Sequence, residues 1–204
     1  MARTQAERRA DTRDRLLQAA AARFAADGID GASIDAIADD ADRTSGSVYA
    51  HFGSKEGLLL ALLDSWKNDV AVAATAEMAT APTMPGRLAA LWRNFADPPN
   101  DGAHWVQLEH ELWLYATRHA DARDQLADRY RDIRRTVRDE MGQWRASGDI
   151  TPPVADDVLG ALLVALLIGL EMQHRLDPDA IDERVALAGL AALLGVTEPT
   201  EVMT

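Results

Sequence analysis

Apolar residues recur at helical spacing soon after Ser33. They follow the i, i+3, i+4, i+7 pattern of a helix that buries one face. The positions are Ile34, Ile37, Ala38 and Ala41. The hydroxyl of Ser33 is suited to cap this helix. The pattern predicts a short helix over residues 34–41.

A polar break and a second short helix come next. Asp42 and Arg43 form the break, and Asp tolerates the left-handed backbone that such a turn needs. Thr44 is expected to cap a helix over residues 45–51. The two helices and the tight turn between them have the arrangement of a helix-turn-helix that reads DNA.

The second short helix leaves most of its surface small or polar. Val48 and Phe52 lie four residues apart and are expected to face inward. Gly46 costs about 1 kcal/mol against Ala, which favours a site where the backbone approaches a partner closely. Each residue also has an ordinary interpretation, with Tyr49 half-buried in the core and His51 on the surface.

Ser54 is expected to cap a further helix, and Lys55 at its start is placed to meet a phosphate beside free backbone amides. Short side chains at the start of a recognition helix allow close approach to the major groove, and longer donors lie further along. The predicted DNA-binding residues are Ser33, Thr44, Ser45, Gly46, Ser47, Tyr49, Ala50, His51 and Lys55.

The rest of the sequence predicts helices throughout. A capping box of Thr4 and Glu7 begins the first, which ends before Gly28. The later helices are predicted over about residues 54–78, 86–96, 103–119, 121–146, 151–176 and 178–195, the seventh capped by Asp121 and the eighth by Thr151. The predicted fold class is all-α, with about nine helices.

Residues 10–60 resemble the N-terminal domain of the TetR family of bacterial transcriptional regulators. The residues that carry this resemblance are Leu16, Leu17, Ala19, Ala20, Phe24 and Gly28, then 34–41, 47–52 and 54–59. The resemblance implies base or backbone contacts from Gly46, Ser47, Tyr49 and His51, and a phosphate contact from Lys55. It also implies a DNA-binding domain at residues 1–53, followed by a helical effector-binding and dimerisation domain at 54–204.

Three features depart from the family pattern. Asp42 stands where glycine is usual, and Arg43 stands where a small apolar residue is usual. The first helix of the motif is acidic, and Asp35 near its DNA-facing end would repel phosphate. The resemblance therefore does not carry base contacts over to that helix.

The charge of the chain is distributed unevenly. The formal net charge is −12, but residues 1–60 hold 8 Lys and Arg against 10 Asp and Glu. Residues 1–23 hold six Arg against three acids, so Arg3, Arg8, Arg9 and Arg13 are candidates for the phosphate backbone. A solvated helix face with i, i+4 pairs is the alternative for these arginines.

The last two predicted helices indicate a homodimer. The helix over about 153–176 is apolar on nearly all sides, and that over 178–195 is rich in small residues. An interface of two helices from each subunit would cover both; a core helix of a monomer is the alternative. The apolar run over 158–170 has 13 residues, fewer than the roughly 20 that span a bilayer, so no membrane partner is expected.

Aromatic residues gather in the middle of the chain. They predict either a pocket for a hydrophobic or amphipathic effector or an ordinary core. The candidate ligand-binding residues are Trp66, Trp92, Phe95, Trp105, Leu108, Glu109, Leu112 and Trp113. Glu109 and Trp113 share a helix face that suits a cationic ligand.

No catalytic motif is found in the sequence. There is no cysteine, and GxSxG, HExxH and a phosphate-binding glycine loop are absent. No cofactor, metal or catalytic residue is predicted, and the charged N-terminus, without a signal peptide, predicts a cytoplasmic protein. The chain is expected to be a dimeric, ligand-responsive regulator, most simply a repressor released from a palindromic operator by a small effector. The alternatives are a repressor without a ligand and a helical protein-interaction module.

Overall fold

The structure is a computed structural model that describes residues 4–98 and 102–196, without the side chains of residues 102–104. Within these ranges the chain forms nine helices and no strand, which confirms the all-α prediction. The helices are α1 (Gln5–Gly31), α2 (Ile34–Asp40), α3 (Ser45–Phe52), α4 (Lys55–Thr80), α5 (Met84–Ala96), α6 (Gly102–Ala116), α7 (Ala120–Ser147), α8 (Asp156–Leu176) and α9 (Glu183–Leu194).

Packing divides the chain into two compact units. The first unit comprises residues 1–69 and 101–127, and the second comprises 70–100 and 128–204. The division falls within α4 and α7. The functional boundary predicted at residue 53 stays a prediction, because this division describes packing.

The first unit is built on a helix-turn-helix. α2 packs against both α1 and α3, and α6 packs against α1. The core is formed by side chains that the 3.6-residue period places on one face of each helix. Its buried residues include Leu16, Ala20, Phe24, Ile37, Val48, Leu58, Leu59 and Leu63.

α5, α8 and α9 pack together in the second unit. One face of α8 is buried there with the apolar faces of the other two helices. Its core consists of Leu88, Met141, Ile150, Leu159, Leu163, Leu167, Leu190 and Leu194. α8 therefore contributes one face to this core.

The length of the apolar run is a poor guide to whether its helix could span a bilayer. The 13-residue run belongs to a helix of 21 residues, α8, which has the length and composition to cross a bilayer, and within the described ranges no other helix has both. Run length alone therefore does not exclude a membrane span. Burial of Leu159, Leu163 and Leu167 in the second unit is what a core helix requires.

Both helix starts predicted near the C-terminus were wrong, because their capping residues bond elsewhere. Thr151 donates its backbone N–H to the carbonyl of Leu194 (3.0 Å) and its hydroxyl to that of Gly195 (2.7 Å), and α8 begins only at Asp156. Asp177 closes a turn by accepting from the amide of Ala180.

A second aspartate, Asp182, caps α9 by accepting from the amide of Val185 (2.8 Å). α6 and α7 also differ from expectation. α6 ends at Ala116 rather than at His119, and Asp121 lies in the first turn of α7 rather than at its cap.

Candidate DNA-binding surface and effector site

The two residues that depart from the family pattern build the turn of the helix-turn-helix. Asp42 adopts a left-handed backbone with φ 55°, as its side chain allows. The Arg43 guanidinium donates to the carbonyl of Asp42 (2.7 Å) and to the hydroxyl of Thr12 (3.3 Å). It also lies 3.6 Å from the carboxylate of Asp11. Arg43 thus ties the turn to α1, a role that a small apolar residue would not fill.

Ser33 caps α2 as predicted, by accepting from the amide of Ala36 (3.4 Å). The predicted cap of α3 is wrong, because the side chain of Thr44 accepts from no backbone amide of that helix. Its hydroxyl lies 3.1 Å from the hydroxyl of Ser47 instead. The side chain of Thr44 therefore leaves the first amides of α3 available to another acceptor.

The outer face of α3 is open to solvent over most of its length. Thr44, Gly46, Tyr49 and Ala50 are exposed, and 54% of the Tyr49 surface is accessible. Tyr49 is therefore no core residue. Among the described residues, a Cβ added at Gly46 would meet no atom closer than 3.7 Å, so none of their contacts requires a glycine there.

Of the other predicted residues, Ser33 is exposed, and Ser45, Ser47, His51 and Lys55 are half-buried. Ser47, His51 and Lys55 lie at the edges of the exposed face. The ammonium group of Lys55 donates to the carbonyl of Asp30 (3.3 Å), near the end of α1. Ser54 caps α4 as predicted, by accepting from the amide of Gly57 (3.0 Å). This bond fixes Lys55 at the start of α4, where a side-chain cation and helix amides meet.

Ser45 joins the two helices of the motif. Its hydroxyl donates to the Oδ1 atom of Asp35, which lies exposed in the first turn of α2. The sequence predicted a polar surface here, but not this bond, because it depends on the crossing of α2 and α3.

A groove of about 690 Å³ runs between α1, the end of α3 and the start of α4. Arg9, Arg13 and His51 lie along it, and the guanidinium of Arg13 lies 5.0 Å from the ring centre of Phe52. Burial, together with the charges of Arg9 and Arg13, holds the pKa of His51 below its usual value. The groove thus collects donor groups beside the recognition helix. Arg3 lies outside the described residues.

The predicted ligand-binding residues fall in both units, and none of them lines this groove. Trp92 and Phe95 belong to the second unit. Trp92 is buried against Leu170 and Ala186, and Phe95 packs at the edge of the neighbouring apolar cluster. The other six belong to the first unit: Trp66, Trp105, Leu108, Glu109, Leu112 and Trp113.

A polar group lies within the apolar interior of the first unit. Glu109 is 6% exposed, and its carboxylate lies 2.7 Å from the ammonium of Lys67. Trp66 is 8% exposed, and its indole Nε1 has no hydrogen-bond partner among the residues that the structure describes. Sequence reasoning missed Lys67, although a buried glutamate requires a cation nearby. An unpartnered buried donor is unusual and indicates a place for an acceptor.

Another hydrogen bond ties α6 to the start of α4. The hydroxyl of Tyr115 donates to Oε1 of Glu56 (2.9 Å), and its ring stacks on His119 at 3.8 Å. Burial disfavours ionisation of Glu56, but hydrogen bonds from its own amide, from Tyr115 and from Ser54 outweigh it and keep the pKa of the carboxyl below its usual value. The bond to Glu56 in turn raises the pKa of Tyr115.

Comparison with known proteins matches both parts of the chain. Residues 16–62 match the tetR family of bacterial regulatory proteins, and residues 85–196 match the C-terminal domain of BetI-type transcriptional repressors. A stretch of 65 residues is 43% identical to an uncharacterised HTH-type transcriptional regulator, TtgW, from Pseudomonas putida. That stretch covers 32% of this chain and 48% of TtgW, so the match spans about half the length of this relative.

Solved structures share the fold over almost the whole chain. A structure described as a TetR-family regulator from Rhodococcus sp. aligns with a TM-score of 0.75 at 21% identity, covering 91% of this chain and 99% of that one. The multidrug binding protein EbrR, complexed with imidazole, aligns with a TM-score of 0.64 at 27% identity, covering 91% and 90%. Together with the two sequence matches, this agreement establishes that the chain belongs to the TetR family of bacterial transcriptional regulators.

Proposed function

We propose that this regulator is a dimeric repressor that binds a palindromic operator and leaves it when a small effector binds. The observation that carries the proposal is the open face of α3. Its N-terminal half presents Gly46 without any internal need for a glycine, and its middle presents an exposed tyrosine. A helix of this kind fits the major groove, with small residues near the base edges and Tyr49 as a longer donor.

Phosphate contacts would flank this helix on two sides. Lys55 stands at the start of α4, and Arg9 and Arg13 lie along the groove beside His51. Cations in these places would fix the register of the helix on the duplex without reading sequence. They would also make binding depend on salt, because each neutralised phosphate releases counterions.

The dimer would form through α8 and α9. One stripe of α8 remains accessible although the opposite face is buried, with positions spaced by four and three residues alternately. These are Val158, Leu162, Ala165, Gly169, Met172 and Leu176, and the two leucines are 44% and 83% exposed. Such spacing forms the seam between packed helices. A two-fold axis then requires a palindromic operator.

The effector would bind in the first unit near Trp66. The unpartnered indole Nε1 calls for an acceptor, and the pair of Glu109 and Lys67 supplies both charges close by. EbrR, of similar fold, is a multidrug binding protein whose structure holds imidazole. A small amphipathic molecule with at least one hydrogen-bond acceptor fits these groups.

Release from DNA would follow a shift between two arrangements of the first unit. α6 carries Glu109 and also Tyr115, which holds Glu56 next to Lys55. A ligand that moves α6 would thus act on the start of α4. A regulator that binds bacterial DNA works in the cytoplasm, so the proposal also places this protein there. On this proposal α8 is a helix of the core and of the dimer interface and does not span a membrane.

The test is a fluorescence-anisotropy titration against DNA from beside the gene of this protein, at two salt concentrations. We expect Tyr49→Ala to weaken binding to the operator selectively, because it removes a base contact. Lys55→Ala should weaken binding to all sequences and lower the salt slope by about one. Arg135→Ala is the matched control, because it removes an exposed cation from α7 in the second unit.

Normal melting temperatures would show that the variants fold. Unchanged DNA affinity in both Tyr49→Ala and Lys55→Ala would contradict the site. Weak binding without sequence preference by the wild-type protein to every duplex would favour the protein-interaction module instead.

A further inference from the structure

The hydrogen bond between Ser45 and Asp35 determines whether donors or acceptors are exposed where the starts of α2 and α3 meet. Ser45 is the first residue of α3, the predicted recognition helix, and Asp35 lies in the first turn of α2. Both side chains are at least partly accessible. In a helix-turn-helix the N-terminal residues of the recognition helix face base edges. On the proposed function, a group bonded to Ser45 would lie beside the bases.

A serine hydroxyl has a single proton to donate, and here Asp35 accepts it. The ionised carboxylate has no proton of its own, and its second oxygen, Oδ2, remains free to accept. The pair therefore presents only lone pairs to an approaching base. It can bind a donor and repels an acceptor.

Asp35 differs from Asp40, another acid of α2, in its charged neighbours. The carboxylate of Asp40 binds Arg23 at 2.6 and 3.0 Å, whereas within the described ranges no Lys, Arg or His forms an ion pair with Asp35. An uncompensated carboxylate near DNA phosphates weakens binding to every sequence. A hydrogen bond from the correct base would offset this electrostatic repulsion, but only for sequences that hold that base at the right position. The repulsion would then disfavour all other sequences and so increase specificity.

We propose that Asp35, held by Ser45, reads the exocyclic amine of a cytosine in each operator half-site. This inference rests on the proposed DNA-binding function. In the major groove, guanine presents two acceptors and thymine presents O4, and all of these repel the pair. Adenine presents an amine beside the acceptor N7, which faces the carboxylate unfavourably. Cytosine presents the N4 amine with no acceptor on the same base, and it is the base that acidic side chains read.

The test is selection of bound duplexes from a random library by the full-length protein and by two variants. Asp35→Asn and Asp39→Asn each remove one negative charge from an exposed position of α2, but only Asp35 contacts Ser45. We expect the wild type and Asp39→Asn to enrich the same half-site with one fixed cytosine. Asp35→Asn should lose that preference by about tenfold while keeping the other positions.

A second measurement uses the wild-type protein and so does not depend on the folding of a variant. The selected cytosine is replaced by 2-pyrimidinone, which lacks the exocyclic amine, and affinity should fall about tenfold. If Asp35→Asn and the wild type enrich the same base at every position, or if every cytosine of the half-site tolerates this replacement, Asp35 does not read cytosine. If the wild type enriches no sequence at all, the proposed function itself fails, and this inference fails with it.

Discussion

Two glycines near the recognition helix play opposite roles at the residue scale. A Cβ at Gly57 would lie 2.1 Å from the backbone oxygen of Phe52, so the close approach of α3 and α4 requires glycine there. At Gly46 a Cβ would fit without strain. Packing within the protein therefore explains Gly57, whereas close contact with a binding partner would explain Gly46.

This contrast leads to a prediction for Gly46→Ala. Removing backbone freedom from a helix stabilises it by about 1 kcal/mol, so we expect a higher melting temperature. The added methyl group should nevertheless weaken operator binding about tenfold, because it separates α3 from the groove. Gly57→Ala is the comparison, with a loss of about 2 kcal/mol or more in stability. Thermal denaturation and anisotropy measure the two effects, and a Gly46→Ala variant with unchanged DNA affinity would argue against close approach.

His51 should make stability and DNA binding respond to pH in opposite directions. Its pKa is lowered in the folded protein, so the unfolded chain holds more of the proton, and stability falls as pH drops below about 6.5. Operator phosphates favour the protonated ring, so binding takes up a proton and affinity rises over the same range. His51→Asn should flatten both responses, measured by melting and anisotropy between pH 7.5 and 5.5. His119→Asn serves as the control, and equal pH dependence in the wild type and His51→Asn would contradict the role of His51.

Capping competition explains the errors at the element scale. The sequence offers three aspartates just before α9, at positions 177, 179 and 182. Asp182 caps the helix, whereas Asp177 closes a turn. Thr151 lies three residues after Gly148 and directly before two prolines, which is typical of a helix start. Its hydrogen bonds nevertheless go to the end of α9. The bonds of Thr151 depend on residues more than 40 positions away, so local patterns do not predict them.

The link between α6 and α4 gives the prediction at this scale. Tyr115→Phe removes the donor to Glu56, and we expect a loss of about 1 to 2 kcal/mol in stability, because the acceptor is charged. If the proposed coupling holds, the operator affinity changes little, but the effector releases less DNA. Thr117→Ala is a control that removes a hydroxyl just after α6, which donates to the carbonyl of Leu114. If the effector releases DNA from Tyr115→Phe as fully as from the wild type, the bond between Tyr115 and Glu56 has no part in release.

At the scale of the whole molecule, α8 has two apolar faces and the second unit covers one. Leu159, Leu163 and Leu167 are buried, whereas Val158, Leu162 and Leu176 are accessible. An accessible apolar stripe along a helix of 21 residues is typical of an interface. The amphipathic pattern of a single chain cannot distinguish the two faces, because both are apolar.

Leu162→Glu should therefore dissociate the dimer. A charge in an apolar seam is costly, and a monomer reads only one half-site, so sedimentation should give the mass of one chain and operator affinity should fall at least 100-fold. Leu114→Glu is the matched control, since Leu114 is 65% exposed on α6. A Leu162→Glu variant that sediments unchanged as a dimer would show that the subunits meet elsewhere.

Local sequence patterns were enough to predict the all-α fold, the helix-turn-helix and the positions of the residues on α3. These follow from short-range rules: helical periodicity, caps within three or four residues, and the backbone tolerance of Asp42. Tertiary structure alone decided what Asp35, Arg43, Glu56 and Lys67 bind. Their partners lie between 10 and 59 residues away or across a turn, and a hydrogen bond exists only where packing brings its two atoms within reach.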